Sequence, residues 1–473
     1  MKLFDELKWR GLVDNITSEE LIDKINEGGL TFYIGVDPTA DSLHIGHYSS
    51  VIAMTKRLLD AGHHPIIIAG GGTGLIGDPK PNLERPMISK EAVLKNIEGI
   101  KKQLDKILGT DIKIINNADW LLQMNAIDFL RDYGKHFNIN YMLSKDTVKR
   151  RLDLGITYTE FSYMILQSID FLKLYEKYGV TLQIGGQDQW GNITSGLELI
   201  RKIHGIDTKC YGMTMPLITR ADGTKFGKSE SGKSVWLDAT KTSPYEMYQF
   251  FVNTEDSKVI EYLKKLTFLN PTQIDELERS LKEHPEQRLA QKALAESIIT
   301  FVHSKEDYEE AVKITEALFN NEIKKLNAKQ IAEAFQDFDI KKIEIGESLV
   351  DLLIRLGASQ SKREAREFIT NGAITINGEK YTDVLTTIND DMFIYNYLII
   401  KRGKKNYYIA SKWLIHIVLI YKKQWKKVKN QNMCQKIAYF DFLLVNIKKL
   451  AKIIYYNSIN KAVTYLLLSS KGR

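Results

Sequence analysis

Short apolar runs alternate with stretches of helical spacing along the first 220 residues. The runs that begin at Thr31, His64, Ile112 and Thr181 predict β-strands. Between the first two runs, residues 51–59 place apolar side chains at the spacing of a helix. This strand–helix–strand order predicts an α/β domain with a Rossmann-like parallel sheet, in which ligands bind beyond the carboxyl ends of the strands.

A second, mostly helical domain is predicted for residues 241–330. Its long stretches of helical spacing are separated by breaks at Pro271 and Pro285, where one helix ends and another begins. Residues 221–240, which precede this domain, contain Asp and Gly turn signals. We expect them to form a mobile loop and a linker.

A small α+β domain is predicted for residues 346–410. Leucines on one helical face come first, and a capping-box pattern at residues 361–364 opens a second helix. Isoleucines alternate in residues 374–376, and Asn377-Gly378 then supplies a hairpin turn. The predicted fold class is therefore an α/β domain, followed by a helical domain and this α+β domain.

The charge of the chain is divided unevenly. The net charge is +7, but residues 412–473 hold thirteen Lys and Arg and one acidic residue, so the rest of the chain is mildly acidic. A nucleic-acid partner must therefore be argued from local clusters. Residues 411–473 form an atypical basic tail. It is either an appendage with salt-sensitive RNA affinity or, as we favour, the product of translation past a natural stop codon.

Targeting and membrane segments are not predicted. The N-terminus lacks the apolar core of a signal peptide, and no run reaches the roughly 18 apolar residues of a membrane span. The two cysteines, Cys210 and Cys434, supply neither a disulfide framework nor a metal-ligand cluster. We expect a cytoplasmic protein with no membrane association and no dedicated metal site.

A histidine motif, His44-Ile45-Gly46-His47, stands where the helix after the first predicted strand begins. A helix N-terminus offers unpaired N–H groups and a positive dipole end to an anion. The two imidazoles share one helical face and could donate hydrogen bonds to phosphate oxygens, while Gly46 lets a base or ribose approach the backbone. Two ordinary surface histidines at a helix start are the alternative.

A lysine motif, Lys225-Phe226-Gly227-Lys228-Ser229, follows the α/β domain. A flexible loop of this kind can carry two ammonium groups onto a leaving pyrophosphate. Taken alone, the motif is more simply a solvated basic loop. Together, the histidine and lysine motifs resemble the signature pair of class I aminoacyl-tRNA synthetases.

The subgroup is indicated by residues 33–39, 74–79, 160–170 and 182–190, which are similar to bacterial tyrosyl-tRNA synthetases. The resemblance covers about residues 1–410. It implies that L-tyrosine is attached to tRNA(Tyr) in two ATP-dependent steps, through a tyrosyl-adenylate, with release of pyrophosphate and AMP. It also implies a symmetric homodimer. Mg²⁺ would arrive with the ATP phosphates, because the sequence shows no carboxylate cage.

The resemblance further implies roles for single residues. Tyr33 and Asp170 would meet the phenolic hydroxyl of tyrosine, and phenylalanine would leave both buried and unpaired. Enzymes of this family are themselves the standard example of such rejection, on the order of 10⁵ without editing. The other tyrosine-binding residues would be Asp78, Tyr163, Gln167, Gln183 and Gln189. The ATP-binding residues would be Gly35, Asp37, Thr39, Gly46, Gly185, Asp188 and Lys228. The residues that stabilise the transferring phosphates would be His44, His47, Lys225, Lys228 and Ser229. The roles of Lys80, Arg85 and Gln187 stay open.

Residues 1–220 would then bind ATP and tyrosine, and residues 241–330 would contact tRNA. Residues 346–410 resemble a small RNA-binding domain that a ribosomal protein and some pseudouridine synthases also contain. The basic residues that would contact RNA phosphates there are Lys362, Arg363, Arg366, Lys401 and Arg402. A solvated charged helix is the alternative.

Other function classes fit parts of the pattern. A tryptophanyl-tRNA synthetase shares both motifs, but Tyr33 with Asp170 suits a phenol better than an indole. A non-catalytic RNA-binding protein would need only the C-terminal domain. A small adenylyltransferase could carry the histidine motif but would be much shorter.

Overall fold

A computed structural model describes residues 1–75, 89–110, 112–145, 148–149, 152, 155–224, 226–228, 232–336, 338–403 and 406–412. The expectations for Asp78, Lys80, Arg85, Lys225, Ser229 and most of the basic tail therefore lie outside the described residues. The chain divides into two compact units, Met1–Thr315 and Glu316–Arg473.

A five-stranded parallel sheet organises the first unit. Its strands are β1 (Thr31–Val36), β2 (His64–Ala69), β3 (Lys113–Asn116), β4 (Leu182–Gly186) and β5 (Tyr211–Met215), in the order β3-β2-β1-β4-β5. The order reverses beside β1, and such a reversal opens a ligand-binding crevice at the carboxyl ends of the strands. The predicted α/β class is confirmed, as are four of its strands. β5 was not predicted, because Tyr211–Met215 contains a glycine and no run of β-branched residues.

Both faces of this sheet are buried. On β1, Phe32 and Ile34 join one apolar core, while Tyr33 between them belongs to a second. Strands buried on both faces have continuous apolar sequences, which is what made them recognisable. The helices of this part are Leu3–Trp9, Glu20–Glu27, Ile45–His47, Met54–Asp60, Lys90–Leu108, Ala118–Leu121, Ala126–Asp128, Ile139–Leu143, Tyr158–Tyr178 and Trp190–His204, with π-helical turns at Tyr48–Ala53 and Phe129–Tyr133.

The helical region of the predicted fold class is also present. Its helices are Pro244–Val252, Asp256–Leu266, Pro271–Glu283, Leu289–Val302 and Lys305–Phe319. The break expected near Pro271 has a clear cause: the Asn270 side chain accepts a hydrogen bond from the Gln273 N–H, and the proline occupies the first turn. The core on one face of the sheet continues into these helices without a break, through residues such as Leu263 and Ile298.

The second unit contains a mixed sheet. Its strands are β6 (Lys341–Ile343), β7 (Ile374–Ile376), β8 (Glu379–Tyr381), β9 (Tyr397–Arg402) and β10 (Asn406–Lys412), in the order β6-β10-β9-β7-β8, and its helices are Ala328–Ala334, Leu349–Arg355 and Lys362–Thr370. The hairpin between β7 and β8 is confirmed. Asn377 and Gly378 both have positive φ, of 49° and 89°, as a type I′ turn requires. None of the helices in the described ranges is long and apolar enough to cross a membrane.

The capping box predicted at residues 361–364 is half present. The Ser361 hydroxyl accepts from the Glu364 N–H, as expected. The Glu364 carboxylate, however, accepts from the Gln360 N–H, one residue before the cap. The helix still begins at Lys362.

Candidate active site

The histidine motif and the lysine loop lie against each other. The Ile45 N–H donates to the Val235 carbonyl at 2.8 Å, so the segment after the lysine loop runs beside the histidine motif. The loop itself crosses Gly46, where a Cβ would lie 3.2 Å from the Phe226 carbonyl. Gly227, at a φ of 125°, would bring its own Cβ to 3.2 Å from the Gly46 nitrogen. Two glycines therefore allow the backbones of the two motifs to touch.

The two imidazoles of the histidine motif are stacked, with ring centroids 3.9 Å apart. His44 Nδ1 accepts from the Gly46 N–H at 3.1 Å, and His47 Nδ1 accepts from the His44 N–H at 3.4 Å. Burial lowers the pKa of both rings, that of His47 to about 3, with the charge of His44 adding to the effect. Both rings are therefore neutral at pH 7. Because each Nδ1 is an acceptor, each proton lies on Nε2, which is free to act as a donor.

The lysine loop is anchored through its backbone. Val235 donates to the Gly227 carbonyl at 3.1 Å, and the Arg220 guanidinium donates to the Lys228 carbonyl. The Lys228 side chain is exposed, so its ammonium group extends from a fixed backbone into solvent. Lys225 and Ser229 lie outside the described residues.

A cluster of buried polar side chains lies on the second face of the sheet, around Tyr33 of β1. Tyr33 is 1% exposed, and its hydroxyl has no hydrogen-bond partner among the described residues. The same holds for Oε1 of Gln183, which pairs in register with Tyr33 on β4. Buried polar atoms left unpaired cost about 1–3 kcal/mol each, so a polar ligand is the natural partner for both.

Asp170 supplies the carboxyl group of this cluster. Its carboxylate is 4% exposed and accepts hydrogen bonds from Asn117 Nδ2 at 2.9 Å and from Trp120 Nε1 at 2.8 Å. Burial raises the pKa of Asp170 to about 7, although these two hydrogen bonds lower it. Burial and the Asp170 charge also raise the pKa of Tyr33 well above its usual value. A ligand hydroxyl could donate to Asp170 and accept from Tyr33.

The raised pKa of Asp170 predicts a specific pH dependence of stability. The unfolded chain releases this proton near pH 4, whereas the folded protein retains it until about pH 7, so the group's contribution to stability falls as the pH rises between these values. Between pH 5 and pH 8, the free energy of unfolding of the wild type should fall by about 2–3 kcal/mol relative to that of the Asp170→Asn variant. Denaturant unfolding of both proteins at the two pH values measures this. A difference that does not change with pH would contradict the raised pKa.

Residues that hold Asp170 were missed in the sequence. Asn117 and Trp120 follow β3, and Asn117 also accepts from the Gly72 N–H at 2.7 Å and donates to Thr73 Oγ1 at 3.0 Å. The sequence does contain an indication of a role for Asn117. This residue directly follows a predicted strand, and ligands bind at that edge of a parallel sheet.

The glycines after β2 leave room for the side chains of Asn116 and Asp37. A Cβ on Gly71 would collide with the side chain of Asn116, and a Cβ on Gly70 would lie 2.8 Å from an Asp37 carboxylate oxygen. Asp37, expected along ATP, therefore lies at the carboxyl ends of β1 and β2. Asp37 also contributes to raising the pKa of Asp170, so the two predicted sites are electrostatically connected.

Most of the other predicted site residues follow β1 and β4 or lie on the helix of Asp170. Tyr163 and Gln167 precede Asp170 on the Tyr158–Tyr178 helix at spacings that share one face; Tyr163 is buried and Gln167 is half-buried. Gly35 is within β1, Thr39 is exposed in the loop after it, and Gly185 is within β4.

The segment after β4 is a single helical turn, Gln187–Gln189. Asp188 is exposed, with its carboxylate beside Gly186. Gln189 accepts from Asn192 Nδ2 at 2.9 Å. The side-chain oxygen of Gln187 accepts a hydrogen bond from the Leu217 N–H, which ties this turn to the segment after β5.

In the second unit, two of the five predicted RNA contacts are engaged internally. Lys401 is 6% exposed, and its ammonium donates to Asn321 Oδ1 at 2.8 Å. Arg402 donates to the Ala358 carbonyl at 2.5 Å. Burial of its side chain argues against RNA contact by Lys401, whereas Arg402 is half-buried and its RNA contact stays a prediction. Lys401 points inward from β9, which a basic cluster in the sequence does not reveal.

The remaining basic residues lie on the Lys362–Thr370 helix. Lys362 pairs with Asp351 at 2.8 Å, and Arg363 and Arg366 are exposed. Within the described ranges, no group of three or more His, Cys, Asp or Glu side chains is arranged to hold a metal ion.

A parallel sheet of this order, with a histidine motif after its first strand and a lysine loop folded against that motif, defines the catalytic domain of a class I aminoacyl-tRNA synthetase. The family described as tRNA synthetases class I (W and Y) matches residues 26–320. The tyrosine–tRNA ligase SYY-like C-terminal domain matches residues 330–410.

The chain belongs to the tyrosine–tRNA ligases. It is 51% identical over 418 residues to the enzyme of Geobacillus stearothermophilus, covering 86% of this chain and 99% of the relative. It is 49% identical over 420 residues to that of Staphylococcus carnosus, covering 87% of this chain and 99% of the relative. A C-terminally truncated mitochondrial tyrosyl-tRNA synthetase from Aspergillus nidulans is similar in structure, with a TM-score of 0.60 and 29% identity over 67% of this chain and 94% of that one. The predicted family and activity are confirmed, and the tryptophan enzyme is not favoured.

Proposed function

We propose that the pocket of Tyr33 and Asp170 selects L-tyrosine and that the two motifs activate its carboxylate with ATP. The observation that carries the proposal is the buried Tyr33 hydroxyl, without a partner among the described residues, in the same pocket as the Asp170 carboxylate. A phenol can donate to one and accept from the other. An indole N–H can only donate, and a phenyl ring can do neither.

Tyr163, Gln167, Gln183 and Gln189 would hold the rest of the tyrosine molecule. The first two share a helix with Asp170, and Gln183 is opposite Tyr33 on the neighbouring strand. Asp78 would join them at the ammonium group, and that role stays a prediction from the sequence. Together these groups would fix the amino acid with its carboxylate toward the carboxyl ends of the strands.

In the first step, a carboxylate oxygen of tyrosine would attack the α-phosphorus of ATP, and the bond to pyrophosphate would break. The neutral imidazoles would donate from Nε2 to the phosphate oxygens, and Lys228 would supply positive charge to the leaving pyrophosphate. Lys225 and Ser229 would assist. Mg²⁺ would enter with the ATP phosphates, since it usually binds through substrate phosphates and few carboxylates.

ATP would lie along the crevice at the carboxyl ends of β1 and β4. The residues that would contact it are Gly35, Asp37, Thr39, Gly46, Gly185, Asp188 and Lys228. In the second step, a terminal ribose hydroxyl of tRNA(Tyr) would attack the activated carbonyl, and AMP would leave. Catalysis would depend on positioning and charge stabilisation and would need no protein nucleophile.

A homodimer is the proposed assembly. Large apolar side chains are exposed along residues 122–158, including Leu122, Ile127, Leu130, Ile139, Tyr141, Leu152 and Tyr158. An apolar surface concentrated in one segment of a folded chain favours a protein interface. Light scattering of the purified chain tests this proposal. A cytoplasmic location stays a prediction from the sequence.

The second unit is proposed to bind tRNA through Arg363 and Arg366. Reversing both charges, Arg363→Glu with Arg366→Glu, should lower tRNA charging at least about tenfold, because phosphate contacts are lost and repulsion is added. Tyrosine-dependent ATP–pyrophosphate exchange should be unchanged.

The control for this experiment reverses two other exposed lysines of the same unit, Lys324→Glu with Lys341→Glu. Both lysines are in surface ion pairs, with Glu379 and Asp339. Charging that falls equally in both double variants would indicate a general charge effect. Unchanged charging in the arginine variant would sink the assignment.

A further inference from the structure

We infer that Tyr262, a residue of the helical region, is a positioning residue for the lysine loop. It contacts the root of the loop from which Lys228 extends and so sets the position of the Lys228 ammonium group. The inference rests on the proposed role of Lys228 in adenylate formation.

Tyr262 contacts the lysine loop in two ways. It is 3% exposed, and its hydroxyl donates to the Thr219 carbonyl at 2.9 Å. Its ring lies 4.7 Å from the ring of Phe226, between centroids, at an angle of 55°. Thr219 and Phe226 are on opposite arms of one loop, whose base is closed by a hydrogen bond of 3.1 Å from the Phe226 N–H to the Ile218 carbonyl. Tyr262 therefore holds both arms at once.

A shift of Phe226 would move Lys228, which lies two residues further along the chain. The Phe226 carbonyl and Gly227 touch the backbone of Gly46, which leaves this stretch little room to shift. Arg220, on the Thr219 arm, donates to the Lys228 carbonyl. Both arms that Tyr262 contacts thus lead to the Lys228 backbone.

The helix that carries Tyr262 also supports the histidine motif. Arg57 lies on the helical segment that continues from His47, and its guanidinium donates to the carbonyl of Thr267, directly after the Asp256–Leu266 helix. Arg57 also lies over the Phe268 ring at 4.6 Å. One helix therefore serves as a common base for both motifs. Its geometry sets the distance between the imidazole donors and the lysine.

The test replaces the hydroxyl and the ring separately. Tyr262→Phe removes the hydrogen bond to Thr219 and should lower kcat for tyrosine-dependent ATP–pyrophosphate exchange about fivefold, the effect of one hydrogen bond. Tyr262→Leu also removes the ring contact with Phe226 and should lower kcat further, by about twentyfold in total. The KM for tyrosine should not change in either variant, because the tyrosine pocket is untouched. Concentrations of active enzyme are taken from active-site titration.

A matched control is Tyr308→Phe. Tyr308 is partly buried in the same helical region, beside Tyr248 at 5.9 Å, and should tolerate the loss of its hydroxyl without a change in kcat. If Tyr262 merely stabilised the fold, Tyr262→Phe would reduce the amount of active enzyme but leave kcat per active site unchanged.

A double-mutant cycle with Lys228→Ala separates positioning from an independent effect. If Tyr262 acts through the Lys228 side chain, Tyr262→Phe should change kcat less than twofold once that side chain is absent. Two results would overturn the inference. One is a full fivefold loss of kcat when Tyr262→Phe is added to Lys228→Ala. The other is an unchanged kcat for Tyr262→Phe alone when the wild type is active. A wild type without tyrosine-dependent exchange would instead overturn the proposed function, and this inference with it.

Discussion

The Asp170→Ala variant is expected to lose nearly all preference for tyrosine over phenylalanine. In the proposed pocket, phenylalanine would leave the buried Tyr33 hydroxyl without a partner, and Asp170 would keep only its hydrogen bonds from Asn117 and Trp120. Removing the carboxylate would remove the proposed acceptor for the tyrosine hydroxyl. The ratio of kcat/KM values for the two amino acids should fall by roughly 10³-fold or more, given the 10⁴–10⁵ that hydrogen-bonded sites of this kind achieve.

The measurement is ATP–pyrophosphate exchange with each amino acid over a range of concentrations. Glu176→Gln is the control, since Glu176 is an acidic residue of the same helix and pairs with Lys173 at 2.9 Å near the surface. It should select tyrosine like the wild type. Undiminished discrimination in the Asp170→Ala variant would rule out the pocket as the selecting site.

The Lys228→Ala and His47→Asn variants should each slow tyrosyl-adenylate formation by about 10²–10³-fold while changing tyrosine affinity little. Lys228 extends from a fixed backbone, and His47 presents a neutral Nε2 donor. Both groups would act on charge that develops on the phosphates, and neither belongs to the tyrosine pocket. Asparagine at position 47 retains an acceptor for the His44 N–H, so this variant changes the donor rather than the helix start.

Single-turnover adenylate formation gives the rate, and equilibrium dialysis gives the affinity for tyrosine. Lys209→Ala is the control, because Lys209 is an exposed lysine that pairs with Glu20 at the surface. Rates like that of the wild type in both test variants would contradict the assignment of the motifs. An equal loss of tyrosine affinity would mean that the two residues act in binding rather than in the chemical step.

Local features of the fold could be predicted from the sequence. β1 and β2 were found at their observed bounds, because strands buried on both faces have continuous apolar sequences. The Asn377-Gly378 turn was found because both residues tolerate positive φ. In each case, the signal lies within a few adjacent residues.

Contacts between distant parts of the chain could not be predicted from local patterns. Gly46 and Gly227 touch although about 180 residues separate them, and their neighbouring side chains give no sign of it. The support of Asp170 by Asn117 and Trp120 likewise depends on how the segment after β3 packs against a later helix. Local pattern also misleads at Lys401. The sequence shows a basic cluster there, but the Lys401 side chain points into the domain and donates to Asn321.

Activation of tyrosine at the pocket of Tyr33 and Asp170 is tested most directly by ATP–pyrophosphate exchange. The purified full chain is supplied separately with tyrosine, tryptophan or phenylalanine. We predict rapid exchange with tyrosine and only trace exchange with the other two, before any tRNA is added. Exchange that tryptophan supports as well as tyrosine, or no exchange with any of the three, would contradict the claim.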